Sequence, residues 1–489
     1  MKRTITLYAL IAALVFASCS KGKLNPVPQT FLSDAVAFSD SARCVQQVNG
    51  LYSALKQGQM MAGRYQVYQD VRGEEFLNVT NNAVTAWLTW QFNLTASANE
   101  VQSFWAACYA TINRCNVVIN GLAGAPISTP LKVSLAAEAR LVRAVSYFML
   151  MQLYAQPYTN GSGSNLGVIL KLNPETSSGD NNQARTTAQA IYTQIINDLN
   201  AAEADLPSFY GTSTNSTLNV TRAHKNTARA LKTRVYLNMG QWSNVITEGN
   251  KLVPASAPWV APAGGVANGL NASITNLFGA TATYTADEFI MMSPYTTLDV
   301  PGTQNGLGWY YNPGPNGGGE FELNLVGNGI CADPNWRAVD ARRSFNQVSG
   351  TRTWLRKWPK AAADADWSPV VRYAEVMLNL AEALARNEAG TAVNARALAI
   401  LNAIRLRSDA TATPFAPADK NTLISLILNE RRIELLGEGF RTSDIGRTGG
   451  TYPAKGVVAA ISPSTSQYIW PISIAELLVN KACQQNPGY

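Results

Sequence analysis

Histidine is almost missing from this chain: His224 is the only one among 489 residues. A Ser-His-Asp catalytic site would have to use it, and a zinc site with several histidine ligands is excluded. Charge is sparse, with Asp, Glu, Lys and Arg at 15 %, so the surface is expected to be polar and neutral, rich in Asn, Thr and Gly. The six cysteines include no Cys-x-x-Cys pair. The leading apolar run, Ile5 to Ala17, has about 13 residues, short of the roughly 20 that a membrane-spanning helix needs. Hydrophobic residues nevertheless reach 46 %, which excludes both disorder and a disulfide-stapled miniprotein. At about 150 residues per domain the length offers some three domains' worth of core.

The short apolar run has a purpose. Met1-Lys2-Arg3 precedes it and Val15-Phe16-Ala17-Ser18-Cys19 closes it, the layout of a signal peptide over 1–18. Small residues followed at once by cysteine resemble a bacterial lipobox, in which Cys19 is lipidated and becomes the first residue; ordinary cleavage leaving a plain Cys19 thiol is the alternative. Several acyl chains would anchor the chain stably, where one alone is marginal. Loss of Lys2 and Arg3 lowers the formal charge from +7 to +5. Cys108 and Cys115, seven apart on one expected helix, have Cα atoms about 10.5 Å apart at 1.5 Å per residue, too far for a disulfide. Buried thiols are expected, with room for one bridge elsewhere and no metal ligation.

Helical periodicity dominates after a tether, Ser20 to Thr30, that carries Pro26 and Pro28. Asp34 is placed to cap a helix to about Lys56, with Ala37, Cys44, Val48, Leu51 and Leu55 on one face. Further helices are expected at 100–122, 131–154, 187–206, 222–239, 243–253, 369–387, 392–407 and 420–436. The pairs 222–254 and 369–407, with small residues such as Ala228, Ala230, Ala381 and Ala383, have tetratricopeptide character. Between them, 255–350 turns rich in Gly, Asn, Thr and Pro with scattered aromatics, and is read as an irregular lobe of short strands and loops. Residues 58–99 form a smaller segment of that kind. The fold class is therefore mainly α. The division expected is a signal peptide at 1–18, an N-terminal helical region at 19–254 and a C-terminal region at 255–489.

Several stretches then stand out together. They are Glu138-Ala139-Arg140-Leu141-Val142-Arg143-Ala144 with Tyr147-Phe148, Arg372-Tyr373-Ala374-Glu375-Val376, and Glu430-Arg431-Arg432-Ile433-Glu434 followed by Glu438-Gly439, Arg441, Asp444 and Arg447. With Leu24-Asn25-Pro26, Arg72-Gly73-Glu74-Glu75 and the ending Gln485-Asn486-Pro487-Gly488-Tyr489, they resemble the SusD/RagB family of lipoproteins over nearly the whole mature chain. The resemblance implies four tetratricopeptide-like helix pairs with an irregular lobe. It also implies an outer-membrane lipoprotein that captures glycans, or in some members peptides, for a SusC-like TonB-dependent transporter. Two departures mark this chain: Ser20-Lys21-Gly22-Lys23 is basic where surface-exposed relatives often carry acidic residues, and Thr442 replaces a usual aromatic.

The embedded charges Glu138, Arg140, Arg143, Glu375, Glu430, Arg431, Arg441 and Asp444 are expected to pair with one another or with other buried charges. Ligand capture falls to the lobes. A sugar presents a C–H face that suits an aromatic ring and an edge of hydroxyls that suits Asn or Arg. Trp309-Tyr310-Tyr311, beside Gly306, Gly308 and Asn312, is expected to offer both in an exposed setting, completed by Arg64, Tyr65, Trp87, Trp90, Asn93 and Tyr295. Each of these aromatics could instead fill core. Glu74/Glu75 and Glu320/Glu322 raise a glycosidase alternative, and the helix pairs raise a protein-binding scaffold without glycan. His224, between Arg222 and Lys225, is expected at the surface. The expectation is a non-enzymatic glycan-binding lipoprotein with no cofactor, no metal and no nucleic-acid partner.

Overall fold

The computed structural model describes residues 34–489 apart from 177–181, 213–215, 281, 286, 316 and 361–365. The signal peptide, Cys19 and the Leu24-Asn25-Pro26 stretch lie outside the described residues. The chain enters through a four-residue helix, Asp34–Ala37. The cap of the first long helix is then Asp40, whose carboxylate accepts the Arg43 N–H at 2.9 Å, and that helix runs Ser41–Leu55.

The longest helices, Asn99–Gly124 and Thr129–Tyr154, follow from unbroken apolar spacing; Pro130 occupies the first turn of the second, where its missing N–H is no loss. Each helix then packs on the next. Thr129–Tyr154 lies on Ala188–Asp205, that on Lys225–Asn238, and that on Trp242–Gly249. Trp242–Gly249 packs on Tyr373–Asn387, which carries Ala395–Ser408 and Lys420–Glu434. This is a tetratricopeptide-like stack, and the lobe leaves it after Trp242–Gly249 and returns at Tyr373.

Among the described residues the lobe is built on three antiparallel strand pairs. They are β1 (Phe76–Asn78) with β3 (Phe321–Leu323), β2 (Phe289–Ser293) with β6 (Ser368–Arg372), and β4 (Asn346–Ser349) with β5 (Arg352–Leu355). A helix was expected from Pro369, but Ser368–Arg372 is strand, with Pro369 opposite Met292. Proline followed by two valines favours extended backbone, and a two-stranded sheet tolerates its missing donor. One main apolar core runs from Ala37 to Cys483. Cys44, Cys108, Cys115, Cys331 and Cys483 are all free thiols, and all but Cys331 are buried.

The embedded charges are paired as expected. Arg143 grips Asp198 through two bonds of 2.8 and 2.7 Å, Arg222 grips Glu138 at 2.9 and 2.7 Å, and Arg234 grips Glu375 at 2.6 and 2.6 Å. Arg431 holds Asp444, while Arg447 holds Glu382 at 2.7 and 2.7 Å. Arg140 is half-buried and reaches Asp205 only at 4.0 Å. The largest cluster joins the lobe to the Lys420–Glu434 helix and the turn after it: Arg372 donates to Glu288, Glu434 and Glu438, Arg342 to Asp340, Glu430 and Glu434, and Lys357 to Glu438. Burial alone would raise the Glu434 carboxyl, but Arg407, Arg372 and Arg342 around it hold it well below the usual range.

Candidate functional site

Strands β1 and β3 bring two distant polar stretches together. Phe76 faces Leu323 and Asn78 faces Phe321. Just beyond the pair, the Val79 N–H donates to the Glu320 carbonyl at 2.9 Å, and Asn78 Nδ2 reaches the same oxygen at 3.3 Å. The Glu320 carboxylate accepts the Thr80 hydroxyl and, at 3.3 Å, Asn82 Nδ2. Its own N–H donates to the Tyr310 carbonyl at 3.2 Å. Glu320, 2 % exposed, therefore fastens the Asn78–Asn82 loop to the short helix Leu307–Tyr311. This stretch bends sharply, with left-handed backbone at Asn81 (φ 54°), Ala86 (φ 70°) and Phe92 (φ 56°), conformations that cost about 1 kcal/mol or more each outside glycine.

Trp309 stands on that helix. Gly308 packs so closely that an added Cβ would lie 2.7 Å from the Trp358 carbonyl oxygen and 2.9 Å from that of Lys360, which only glycine permits. The Gly318 N–H donates to the Trp309 carbonyl at 2.8 Å and Gly318 lies against the indole. The indole is half-buried, and its Nε1 has no hydrogen-bond partner among the described residues. Beside Glu320 on β3, Glu322 pairs with Arg352 of β5 at 2.8 Å.

The expected exposed aromatic run is corrected. Because 307–311 is helix and not an extended segment, Tyr310 and Tyr311 turn inward and are fully buried. Tyr311 stacks on Phe76 with centroids 4.7 Å apart. Tyr310 donates to the Gln304 carbonyl at 2.9 Å. Arg64, expected on an exposed platform, is 5 % exposed and lies near Tyr310 inside the molecule. Tyr65 stacks on Phe104 at 5.9 Å. Trp90 is buried, with its indole N–H donating to the Phe76 carbonyl at 2.9 Å. Tyr295 is buried apart from these, donating to the Lys56 carbonyl at 2.7 Å. Of the nine residues, Trp309 and Trp87 are half-buried and Asn93 is exposed. Asn78, Thr80 and Asn82 were not singled out, although the Asn-x-Thr-Asn-Asn run from 78 to 82 marks a polar loop.

His224 is also corrected: it is fully buried at the start of the Lys225–Asn238 helix. Burial pushes its imidazole down to about 4, so at neutral pH it is uncharged. The acidic pairs are engaged. Glu74 binds Arg441 and Arg432; Glu75 binds Arg432 at 2.7 Å and accepts the Ile330 N–H at 2.6 Å. Burial raises the Glu100 carboxyl to about 7, moderated by the Thr89 hydroxyl that donates to it and by Arg64. Among the described residues no group of three or more His, Cys, Asp or Glu is placed to hold a metal ion, and no helix is long and apolar enough to cross a membrane. What the rim presents is amides, hydroxyls and an indole.

Comparison with known proteins adds the following. A sequence profile described as "Starch-binding associating with outer membrane" matches residues 31–237, and one described as "SusD family" matches 334–489. The curated "SusD-like protein P2" of Formosa agariphila is 24 % identical across the whole of both chains. The crystal structure of a SusD superfamily protein from Bacteroides fragilis superposes with a TM-score of 0.80 at 30 % identity, over 91 % of this chain and 99 % of that one. A "Laminarin binding SusD-like protein" superposes with a TM-score of 0.72 at 20 % identity, over 92 % of this chain and 100 % of that one, a likeness of fold.

Proposed function

The chain belongs to the SusD family, and from that premise we propose that it is a glycan-binding lipoprotein, held at the outer membrane through Cys19, that passes oligosaccharide to a SusC-like TonB-dependent transporter. Family membership supports glycan binding, and the similarly folded laminarin-binding protein supports a polysaccharide ligand. The observation that carries the site is Glu320 clamping the Asn78–Asn82 loop beside the half-buried Trp309. An indole face meets sugar C–H groups while fixed Asn and Thr side chains meet hydroxyls. Glu320 serves as a fastening, and Glu322 is neutralised by Arg352. Neither is left as a free acid or base, which supports binding without hydrolysis.

Calorimetry against a panel that includes laminarin and starch tests the reading. Trp309→Ala is expected to weaken binding at least about tenfold, roughly 1.4 kcal/mol, read on protein whose circular dichroism shows the native fold. Unaltered binding by Trp309→Ala would remove this rim as the site, and no binding to any glycan by the native protein would remove the function. Co-purification of the transporter with the full chain tests the partnership. Protease accessibility on whole cells tests surface display, with complete protection counting against it.

A further inference from the structure

The helical frame carries a second depression, built from residues the lobe does not use. Its mouth is a cleft of about 340 Å3 between the Pro157–Asn160 turn, the end of the Arg441–Arg447 helix, and Pro463 with Tyr468. That volume lies within the range of small-ligand clefts, about 300–1,000 Å3. Behind it sits a cavity of about 20 Å3 that shares Pro157, Gly446, Arg447 and Tyr468 as walls, room for one water or one hydroxyl group.

Five observations define what fits. Among the described residues no Asp, Glu or Lys lines either space. The one charged lining group, Arg447, is engaged by Glu382 at 2.7 and 2.7 Å and by Asp444 at 2.9 Å, so an ion would gain little and a neutral ligand is favoured. The walls carry Tyr158, Tyr452, Tyr468 and two prolines, surfaces suited to C–H groups. Thr442, which lines the inner cavity and is 2 % exposed, has an Oγ1 with no partner among the described residues, a standing cost until something bonds it. Finally, Gly446 lies within a helix, where alanine would be preferred, and not in the left-handed region. Gly446 lines both mouth and cavity, and a Cβ there would crowd Pro157 Cγ at 3.2 Å, so glycine leaves room where the two spaces meet.

We propose that this cleft is a second binding site, for a neutral polyhydroxylated ligand the size of one sugar ring, with one hydroxyl reaching Thr442 Oγ1. The site does not depend on glycan binding at the Trp309 rim. The test is methyl NMR of Thr442 and Ile469, which both line the inner cavity, in the full chain titrated with D-glucose, D-galactose, D-mannose and N-acetylglucosamine. At least one probe is expected to shift both methyl signals saturably, with a Kd of about 1–10 mM. Gly446→Ala, which narrows the space beside Pro157 and favours the helix, is expected to weaken this at least about tenfold. Thr442→Val, of equal shape but without the hydroxyl, is expected to weaken it too, its own effect followed at Ile469. Trp309→Ala should leave the shifts as they are, so that failure at one site is separable from failure at the other. No saturable shift up to roughly 50 mM of any probe, or shifts unchanged by both Gly446→Ala and Thr442→Val, would overturn the proposal.

Discussion

Glu100, 1 % exposed, takes the Thr89 hydroxyl as a hydrogen-bond donor and faces Arg64, yet burial still lifts its carboxyl to about 7. In the unfolded chain it titrates near 4.5. Between those values the folded protein keeps a proton that the unfolded chain has lost, so this group lowers stability as pH rises through the window. Denaturant unfolding from pH 5 to 8 should show the native protein losing about 2–3 kcal/mol more than Glu100→Gln; parallel curves would refute it. His224 acts in the opposite sense at lower pH: its folded value near 4 makes stability rise from about pH 4 to 6.5. Neither burial was legible in the sequence. Glu100 opens an ordinary amphipathic helix, and His224 stands between Arg222 and Lys225, company that suggests solvent, although Arg222 is itself folded onto Glu138.

At the scale of the element, one long-range cap is instructive. The Arg441–Arg447 helix has no side-chain cap from its own N-cap residue, Phe440. Asp70 supplies it from another helix, accepting the N–H groups of Gly439 at 2.8 Å, Phe440 at 3.1 Å and Arg441 at 3.3 Å. Asp70→Ala should cost about 2–3 kcal/mol and speed amide exchange over 439–447 in particular; exchange that rises equally everywhere would argue against a local cap. Long helices were legible because apolar spacing persists over many turns and prolines such as Pro157, Pro207 and Pro254 mark where they stop. The five residues of 307–311 and of 368–372 are too few to display a period, so the helix at Trp309 and the strand at Pro369 were missed. The rim was missed for a different reason: Glu320 meets Asn78, Thr80 and Asn82 across separations of 242, 240 and 238 residues, which no local pattern records.

Across the whole molecule, stability and binding draw on different charges. Arg372 is 1 % exposed and bonds three carboxylates, Glu288, Glu434 and Glu438. Arg372→Met would take one buried cation from each of them, leaving Glu288 and Glu434 to Arg407 and Glu438 to Lys357, at a cost of about 3–5 kcal/mol. Arg352→Ala, on a side chain 43 % exposed, should stay within about 0.5 kcal/mol. Equal midpoint shifts in urea would contradict this contrast. The lobe's point of departure has its own consequence. Because the chain leaves from Trp242–Gly249 and returns to the neighbouring Tyr373–Asn387 helix, residues 250–372 are spliced in like an exchangeable cassette. A lobe from a relative could be grafted between those ends with the stack intact, provided it brings matching feet. Glu288, Arg342, Lys357 and Arg372 plug into Glu430, Glu434, Glu438 and Arg407, and β3 with Glu320 must still meet β1 and the Asn78–Asn82 loop. A chimaera keeping those four residues and the β3 and Glu320 contacts is expected to unfold in one cooperative step, whereas one lacking them should lose the lobe first.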